Sequence, residues 1–308
     1  MTLRSIQNQS IKDIEIIIVD DGSIEEKVKD VFEEMKNDNR IILLRHIERK
    51  STLLTRVDGI RYASGEYIIQ VDQDDMFLTN LLFETLYTKS KEINVDLIQF
   101  NHYSNDNKKY LKLEHTPMPA NVIINQPKLR TAFLAGGGNR LLYCAIRMIW
   151  NFFVRRTTYL EAIDDLGDEY MNHIFRLYED TLMMFELSQV AYSYYFYESV
   201  NGYRQCTFRS GGIQYAFNET LEKETLAMNQ LLFMKLLLHK IDPKYDRYHI
   251  YRELGFGHCD NDVKHLNRKD FDLGLEVVED ILELERIYKN TAPELIECIN
   301  KIKKYYEM

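Results

Sequence analysis

The chain has 308 residues, 45% of them hydrophobic and 28% charged, with a formal net charge of -9. That is too apolar for a disordered tail, and too acidic for nucleic acid to be the main partner, because the phosphate backbone is bound through clustered Lys and Arg. Cys144, Cys206, Cys259 and Cys298 form no Cys-x-x-Cys pair, so zinc ribbons and redox motifs are unsupported. No run approaches the ~20 apolar residues of a membrane span. Met1 to Ser5 carries no apolar signal core, so the sequence reads as cytoplasmic.

The first strand signal is Ile14-Glu15-Ile16-Ile17-Ile18-Val19, β-branched and nearly continuous, as a strand covered on both faces should be. Asp20-Asp21-Gly22-Ser23 ends it. Val28, Val31, Phe32 and Met35 then recur at helical spacing, which predicts a helix over Glu25 to Met35. Ile41 to Leu44 reads as a strand, Leu53 to Ala63 as a helix, and Tyr67 to Val71 as a third strand ending in Asp72-Gln73-Asp74-Asp75. Leu81 to Ile93 is helical and Asp96 to Phe100 is a fourth strand. Residues 101 to 125 read as polar and irregular. Tyr170 to Val190 reads as a helix with a break near Tyr178-Glu179-Asp180, and Ala191 to Val200 as an aromatic strand. From residue 213 on the pattern is helical.

Strand and helix alternate to about residue 100, which predicts an α/β fold with a mostly parallel, doubly wound sheet flanked by helices. Such sheets bind ligands beyond the carboxyl ends of their strands. Asp20-Asp21 and Asp72 to Asp75 both lie at that edge. Three carboxylates within the four residues of Asp72-Gln73-Asp74-Asp75 repel one another in water, but suit a hard divalent cation that takes oxygen ligands. The bland alternative is an acidic turn capping the next helix. Glu179-Asp180 precedes the apolar run Leu182-Met183-Met184-Phe185; an Asp held there can accept a proton from a hydroxyl, and an ordinary acidic helix start is again the alternative.

In order along the chain, Ile14 to Ser23, Thr55-Arg56-Val57-Asp58-Gly59-Ile60, Ala63-Ser64-Gly65-Glu66-Tyr67-Ile68, Val71-Asp72-Gln73-Asp74-Asp75, Ile149-Trp150-Asn151 and Glu179-Asp180 resemble the successive motifs of family 2 glycosyltransferases. The resemblance runs from residue 5 to about 205. It implies a GT-A-type fold with a nucleotide-sugar-binding half (1–105), an acceptor-binding half (106–212) and a C-terminal helical extension (213–308). It implies an inverting transfer of sugar from a nucleotide diphosphate, of uridine type, to a glycan, lipid-linked or protein acceptor. Asp20 and Asp21 would then lie on the base side, Arg56 near the nucleotide and Asp72 by the ribose. Asp74 and Asp75 would hold Mn2+ or Mg2+ with the diphosphate, and Asp180, beside Glu179, would be the general base.

The departures are Val57 where the family has Asn, Phe152 where it has Lys, and Tyr178 where it often has Gly. The family's first strand also has no counterpart, since only the end of the helix that follows it is found, as Ser5-Ile6-Gln7-Asn8-Gln9-Ser10. That strand is central in the family's sheet, and its neighbours would be left with unpaired backbone groups. The sequence therefore implies a shortened or patched sheet. The second reading is a truncated or degenerate, non-catalytic relative that acts as a binding or partner protein. Leu231, Leu232, Met234, Leu237 and Leu238 in the C-terminal part form an apolar stripe expected to pack on the main domain, with acceptor recognition or oligomerisation as the alternatives. The tract Lys301, Lys303 and Lys304 leaves room for a peripheral membrane contact, although a solvated helix face is the leading reading.

Overall fold

A computed structural model describes residues 1–106, 109–112, 119–130, 148–171 and 179–206, most of 232–241, and residues 283, 300 and 304. The elements run α1 (Thr2–Gln7), β1 (Ile16–Asp20), α2 (Glu25–Met35), β2 (Ile41–Arg45), α3 (Thr52–Tyr62), β3 (Tyr67–Ile69), β4 (Met76–Phe77), α4 (Leu82–Ile93), β5 (Leu97–Asp106), β6 (Lys109–Lys112), β7 (Ile123–Asn125), β8 (Phe152–Arg155), α5 (Arg156–Leu166), α6 (Asp168–Met171), α7 (Glu179–Val190) and β9 (Ser193–Gln205). The α/β class predicted from the alternating pattern is present.

The sheet is mixed. β1 and β2 pair in parallel as a two-stranded sheet. The other strands form a seven-stranded sheet with the path β3-β8-β5-β9-β4, to which β6 adds on β5 and β7 on β9. Within it β5 and β9 are parallel, while β8 is antiparallel to both β3 and β5. Each antiparallel pairing involves a strand beyond residue 106, which the alternation over the first 100 residues did not report. β3, β5 and β9 consequently run in one direction. Their carboxyl ends, carrying Asp72 to Asp75, His102 and Tyr203, meet at one edge.

Among the described residues no strand joins β1 to β3: β1 pairs with β2 alone and β3 with β8 alone. α3 spans the two sheets instead. Its Gly59 approaches β1 so closely that an added Cβ would lie 3.3 Å from Val19 Cγ2. Its Leu53, Val57 and Ile60 are buried in the core of the larger sheet. Val57, a departure from the family pattern, is therefore a core residue, and so is Phe152, the first residue of β8.

Period-two alternation divides the core into two layers. Phe152, Val154, Tyr194 and Phe196 face one side with α3, α5 and α7, while Phe153 and Tyr195 face the other with α4. Each such fully buried side chain contributes about 1.5–3 kcal/mol. α7 is buried on all sides, from Glu179 to Gln189 with the partial exception of Asp180, which explains why its sequence shows no polar face. Leu232, Phe233, Leu236, Leu237 and Ile241 join the same layer, so this part of the C-terminal region packs on the main core. Leu231, Met234 and Leu238 lie outside the described residues, as do Tyr178 and the lysines at 301 and 303.

Residues 101–106, expected to be irregular, continue β5. Their polar sequence is overridden by pairing with β9, through a register shift around Asn101. No helix among the described residues is long and apolar enough to cross a membrane.

Candidate active site

The acidic turn after β3 is braced from below. Asp75 N–H donates to the Asp72 carbonyl at 3.1 Å, closing the turn. Thr2 Oγ1 at the start of α1 lies 2.7 Å from the Gln73 carbonyl and 2.6 Å from that of Asp75. Gln9 and Ser10 pin the following segment at Thr79, Asn80 and Phe83. The residues before β1 thus hold the strand-end turn in place.

Within the turn the carboxylates have separate fates. Asp72 accepts from Arg56 Nη2 at 2.7 Å. Asp75 is 3% exposed and accepts from Tyr203 Oη at 2.6 Å and from the Cys206 N–H at 2.7 Å. Burial pushes its pKa up to about 6 despite those donors. Asp74 is half-buried and takes no hydrogen bond or ion pair among the described residues. The sequence reading put a metal on Asp74 and Asp75 together. In the structure both Asp75 oxygens serve the protein, and Asp74 alone stands open. No group of three or more His, Cys, Asp or Glu side chains placed for a metal occurs among the described residues.

Arg56 is the centre of the site. It lies on α3, whose first turn is capped by Ser51 Oγ accepting from the Leu54 N–H at 3.1 Å. Its Nη1 donates to Gln70 Oε1 at 2.9 Å and its Nη2 to Asp72; Gln70 in turn donates to Tyr159 Oη at 3.1 Å. Its Nε lies 3.5 Å from Glu179 Oε1, an ion pair without a hydrogen bond. Burial penalises the guanidinium charge, but Asp72, Glu179 and Asp180 more than offset this, and its pKa is raised.

Glu179 and Asp180 open α7, where the helix N-terminus favours negative charge. Asp180 keeps partial access to solvent, and its Oδ1 accepts from the Thr181 N–H at 2.7 Å. Burial, then repulsion from Glu179, pushes its pKa up to about 8 against the pull of Arg56. Glu179 is raised too, again by burial.

On the other flank, Asp20 is buried, 3.1 Å from Arg45 Nε, and accepts from the Ser23 N–H at 3.3 Å. Gly22 takes a φ of 71°, and a Cβ there would lie 2.9 Å from the Arg49 nitrogen, so the turn requires glycine. Asp21 Oδ1 accepts from His46 Nδ1 at 2.7 Å and from the Lys50 N–H at 2.9 Å.

The structure thus brings Arg56, Asp72, Glu179 and Asp180 together, with Asp74 on the same turn as Asp72 and with Asp20 and Asp21 at the end of β1. Sequence reasoning missed His46, Gln70, Tyr159 and Tyr203. For His46 and Gln70 a signal was present, since each is a polar residue at or just beyond the end of an apolar strand on the edge where the acidic clusters lie. Trp150, of the Ile149-Trp150-Asn151 motif, is a core aromatic: it is 3% exposed and stacked on Tyr203 with centroids 4.3 Å apart.

Residues 1–151 match the profile of glycosyl transferase family 2. That stretch is a glycosyl transferase family 2 domain. A glycosyltransferase, GlyG, of Streptococcus pneumoniae is 38% identical over 103 residues, 33% of this chain and 33% of that protein. The GalNAc(5)-diNAcBac-PP-undecaprenol beta-1,3-glucosyltransferase of Campylobacter jejuni is 36% identical over 91 residues, 29% of each. The matched stretches therefore span about a third of the length of these relatives. The crystal structure of S. aureus TarS 1-349 in complex with UDP-GlcNAc superposes with a TM-score of 0.63 at 13% identity, over 99% of this chain and 86% of that one. The chain therefore shares the GT-A-type fold of that structure.

Proposed function

We propose that this chain is an inverting glycosyltransferase that moves a sugar from a UDP-type nucleotide to a hydroxyl of a glycan, lipid-linked or protein acceptor on the cytoplasmic side. The observation that carries the reading is Arg56, whose one guanidinium meets Asp72 from the strand-end turn and Glu179 from the head of α7. Acidic clusters more than 100 residues apart in sequence therefore belong to one site. The complex of TarS with UDP-GlcNAc supports the choice of donor class.

Asp21 and Asp72 would hold the base and ribose sides of the donor. A divalent cation, Mn2+ or Mg2+, fits Asp74, since these ions take one or two carboxylates together with substrate phosphates. When bound, the ion supplies charge neutralisation for the departing diphosphate. Asp180 accepts the proton of the acceptor hydroxyl. The new bond forms between that oxygen and the anomeric carbon as the bond from that carbon to the diphosphate breaks, in a single in-line step. The raised pKa of Asp180 makes it a stronger base once deprotonated. Arg56 stays charged throughout and holds Asp72 and Glu179 in register.

Calorimetric titration of the chain with UDP, with and without Mn2+, tests this. Binding strengthened by Mn2+, with that gain lost in Asp74→Asn, is expected. Absence of UDP binding under both conditions would favour the non-catalytic reading.

A further inference from the structure

His46 stands one residue past β2, and its side chain is only 8% exposed. Each ring nitrogen faces a carboxylate. Nδ1 lies 2.7 Å from Asp21 Oδ1, and Nε2 lies 2.9 Å from Asp58 Oδ2 on α3. Carboxylate oxygens accept, so a ring N–H on either side donates to an ionised group in a charge-assisted bond. Lys50 closes the arrangement: its N–H also donates to Asp21 Oδ1, and its Nζ reaches Asp58 Oδ2 at 3.1 Å. The neighbouring backbone is fixed by the Asp20–Arg45 pair and by the Gly22 turn.

Two donors thus immobilise one oxygen of Asp21. The other, Oδ2, accepts nothing among the described residues, and the side chain is 24% exposed. A carboxylate with one oxygen locked and one facing outward is a preorganised acceptor for a ring N–H of a base. We propose that His46 is a positioning residue for nucleotide-base recognition, fixing Asp21 through Asp58 so that Asp21 Oδ2 meets the base edge of the donor. This rests on the nucleotide-donor reading above. It adds a residue that does not touch substrate and a pathway, α3 through Asp58, by which the base site is coupled to the helix carrying Arg56.

The test is calorimetric titration, with Mn2+ present, of UDP and separately of inorganic diphosphate. The proteins are the wild-type chain, His46→Ala, His46→Gln, Asp58→Asn, Asp21→Ala and the His46→Ala/Asp21→Ala pair. His46→Ala should weaken UDP on the order of tenfold, as expected for one lost charge-assisted contact, and leave diphosphate unchanged. His46→Gln, which keeps one donor, and Asp58→Asn should lose less, in the same direction; they carry the test if His46→Ala does not fold. In the Asp21→Ala background, loss of His46 should have no further effect on UDP. Equal losses for UDP and diphosphate would mean that His46 is merely structural, and an undiminished loss in the Asp21→Ala background would mean that it acts elsewhere. Unchanged UDP affinity in His46→Ala would also overturn the proposal, while leaving the donor reading intact. A wild-type chain that ignores UDP overturns the donor reading and this proposal with it.

Discussion

Arg56 on α3 donates to Asp72 at 2.7 Å, joining the helix that bridges the two sheets to the acidic turn beyond β3. The same guanidinium faces Glu179, so its removal leaves carboxylates gathered in a largely buried space. Arg56→Ala should destabilise by about 3–5 kcal/mol, the usual cost of breaking a buried ion pair from one side. Arg56→Lys should fall between, since an ammonium keeps the charge but cannot fork to Asp72 and Gln70 together. Urea unfolding measures both, and an alanine variant as stable as wild type would show that the pairing has no energetic weight.

The pH profile of transfer should carry the signature of the head of α7. Asp180 must be deprotonated to accept a proton, and burial together with Glu179 lifts its pKa from 3.8 to about 8. kcat/KM should rise with pH through about 8, on a limb that belongs to the Glu179–Asp180 pair and not to one group. The stability linkage has the opposite sense. A carboxyl whose folded pKa is raised stabilises most below its unfolded pKa, and that contribution is lost as pH rises through about 8. A limb in the ordinary carboxylate range near 4 would exclude Asp180 as base.

Glu186, further along α7, is fully buried and held by Lys240 from the C-terminal region at 2.6 Å, and the same ammonium lies 2.8 Å from Asp165, which neighbours Glu186. Burial raises the Glu186 pKa from 4.5 to about 7. Its contribution to stability is therefore complete below about 4.5 and lost as pH climbs through 7. Lys240→Met should cost about 3–5 kcal/mol at pH 8, where Glu186 is ionised. The cost should be clearly smaller at pH 5, where Glu186 stays protonated. An equal loss at the two pH values in denaturant melts would refute the pairing.

Gly202 is needed for space. A Cβ there would lie 2.4 Å from Leu82 Cδ1 and 2.9 Å from Phe100 Cδ2, both on side chains that are at most 1% exposed. Gly202→Ala should cost about 1–3 kcal/mol by overpacking. Adding Leu82→Ala to it should cost less than the sum of the two single changes, because the second removes the atoms the first collides with. Additive losses in chemical denaturation would place the strain elsewhere.

The fold was readable where local pattern and tertiary need agree. α2 spans Glu25–Met35 as its apolar spacing predicts, and the apolar β-branched runs became β1, β2 and β3 with boundaries displaced by one or two residues. It was unreadable where pairing partners decide. Asn101 to Asp106 is polar, yet extends β5 because β9 lies alongside it, and β6 and β7 exist only as additions to those two strands. At the site, the acidic residues announced themselves because clustered carboxylates are costly without a purpose. Their division of labour did not. Nothing in Asp72-Gln73-Asp74-Asp75 says that Tyr203, 128 residues later, occupies the last of them. His46 gave only the weak signal of a lone imidazole beyond a strand, and its two carboxylate partners become visible only once α3 is folded against β1.

The central claim is that Glu179-Asp180 and the turn at Asp72 to Asp75 form one catalytic site with Asp180 as its base. The most direct measurement is sugar transfer or donor turnover by Asp180→Asn, with UDP affinity determined on the same preparation. The account predicts UDP affinity close to wild type and turnover reduced by roughly 10²–10⁴-fold, the usual contribution of general base catalysis. Turnover equal to wild type in a variant that binds UDP normally would contradict it.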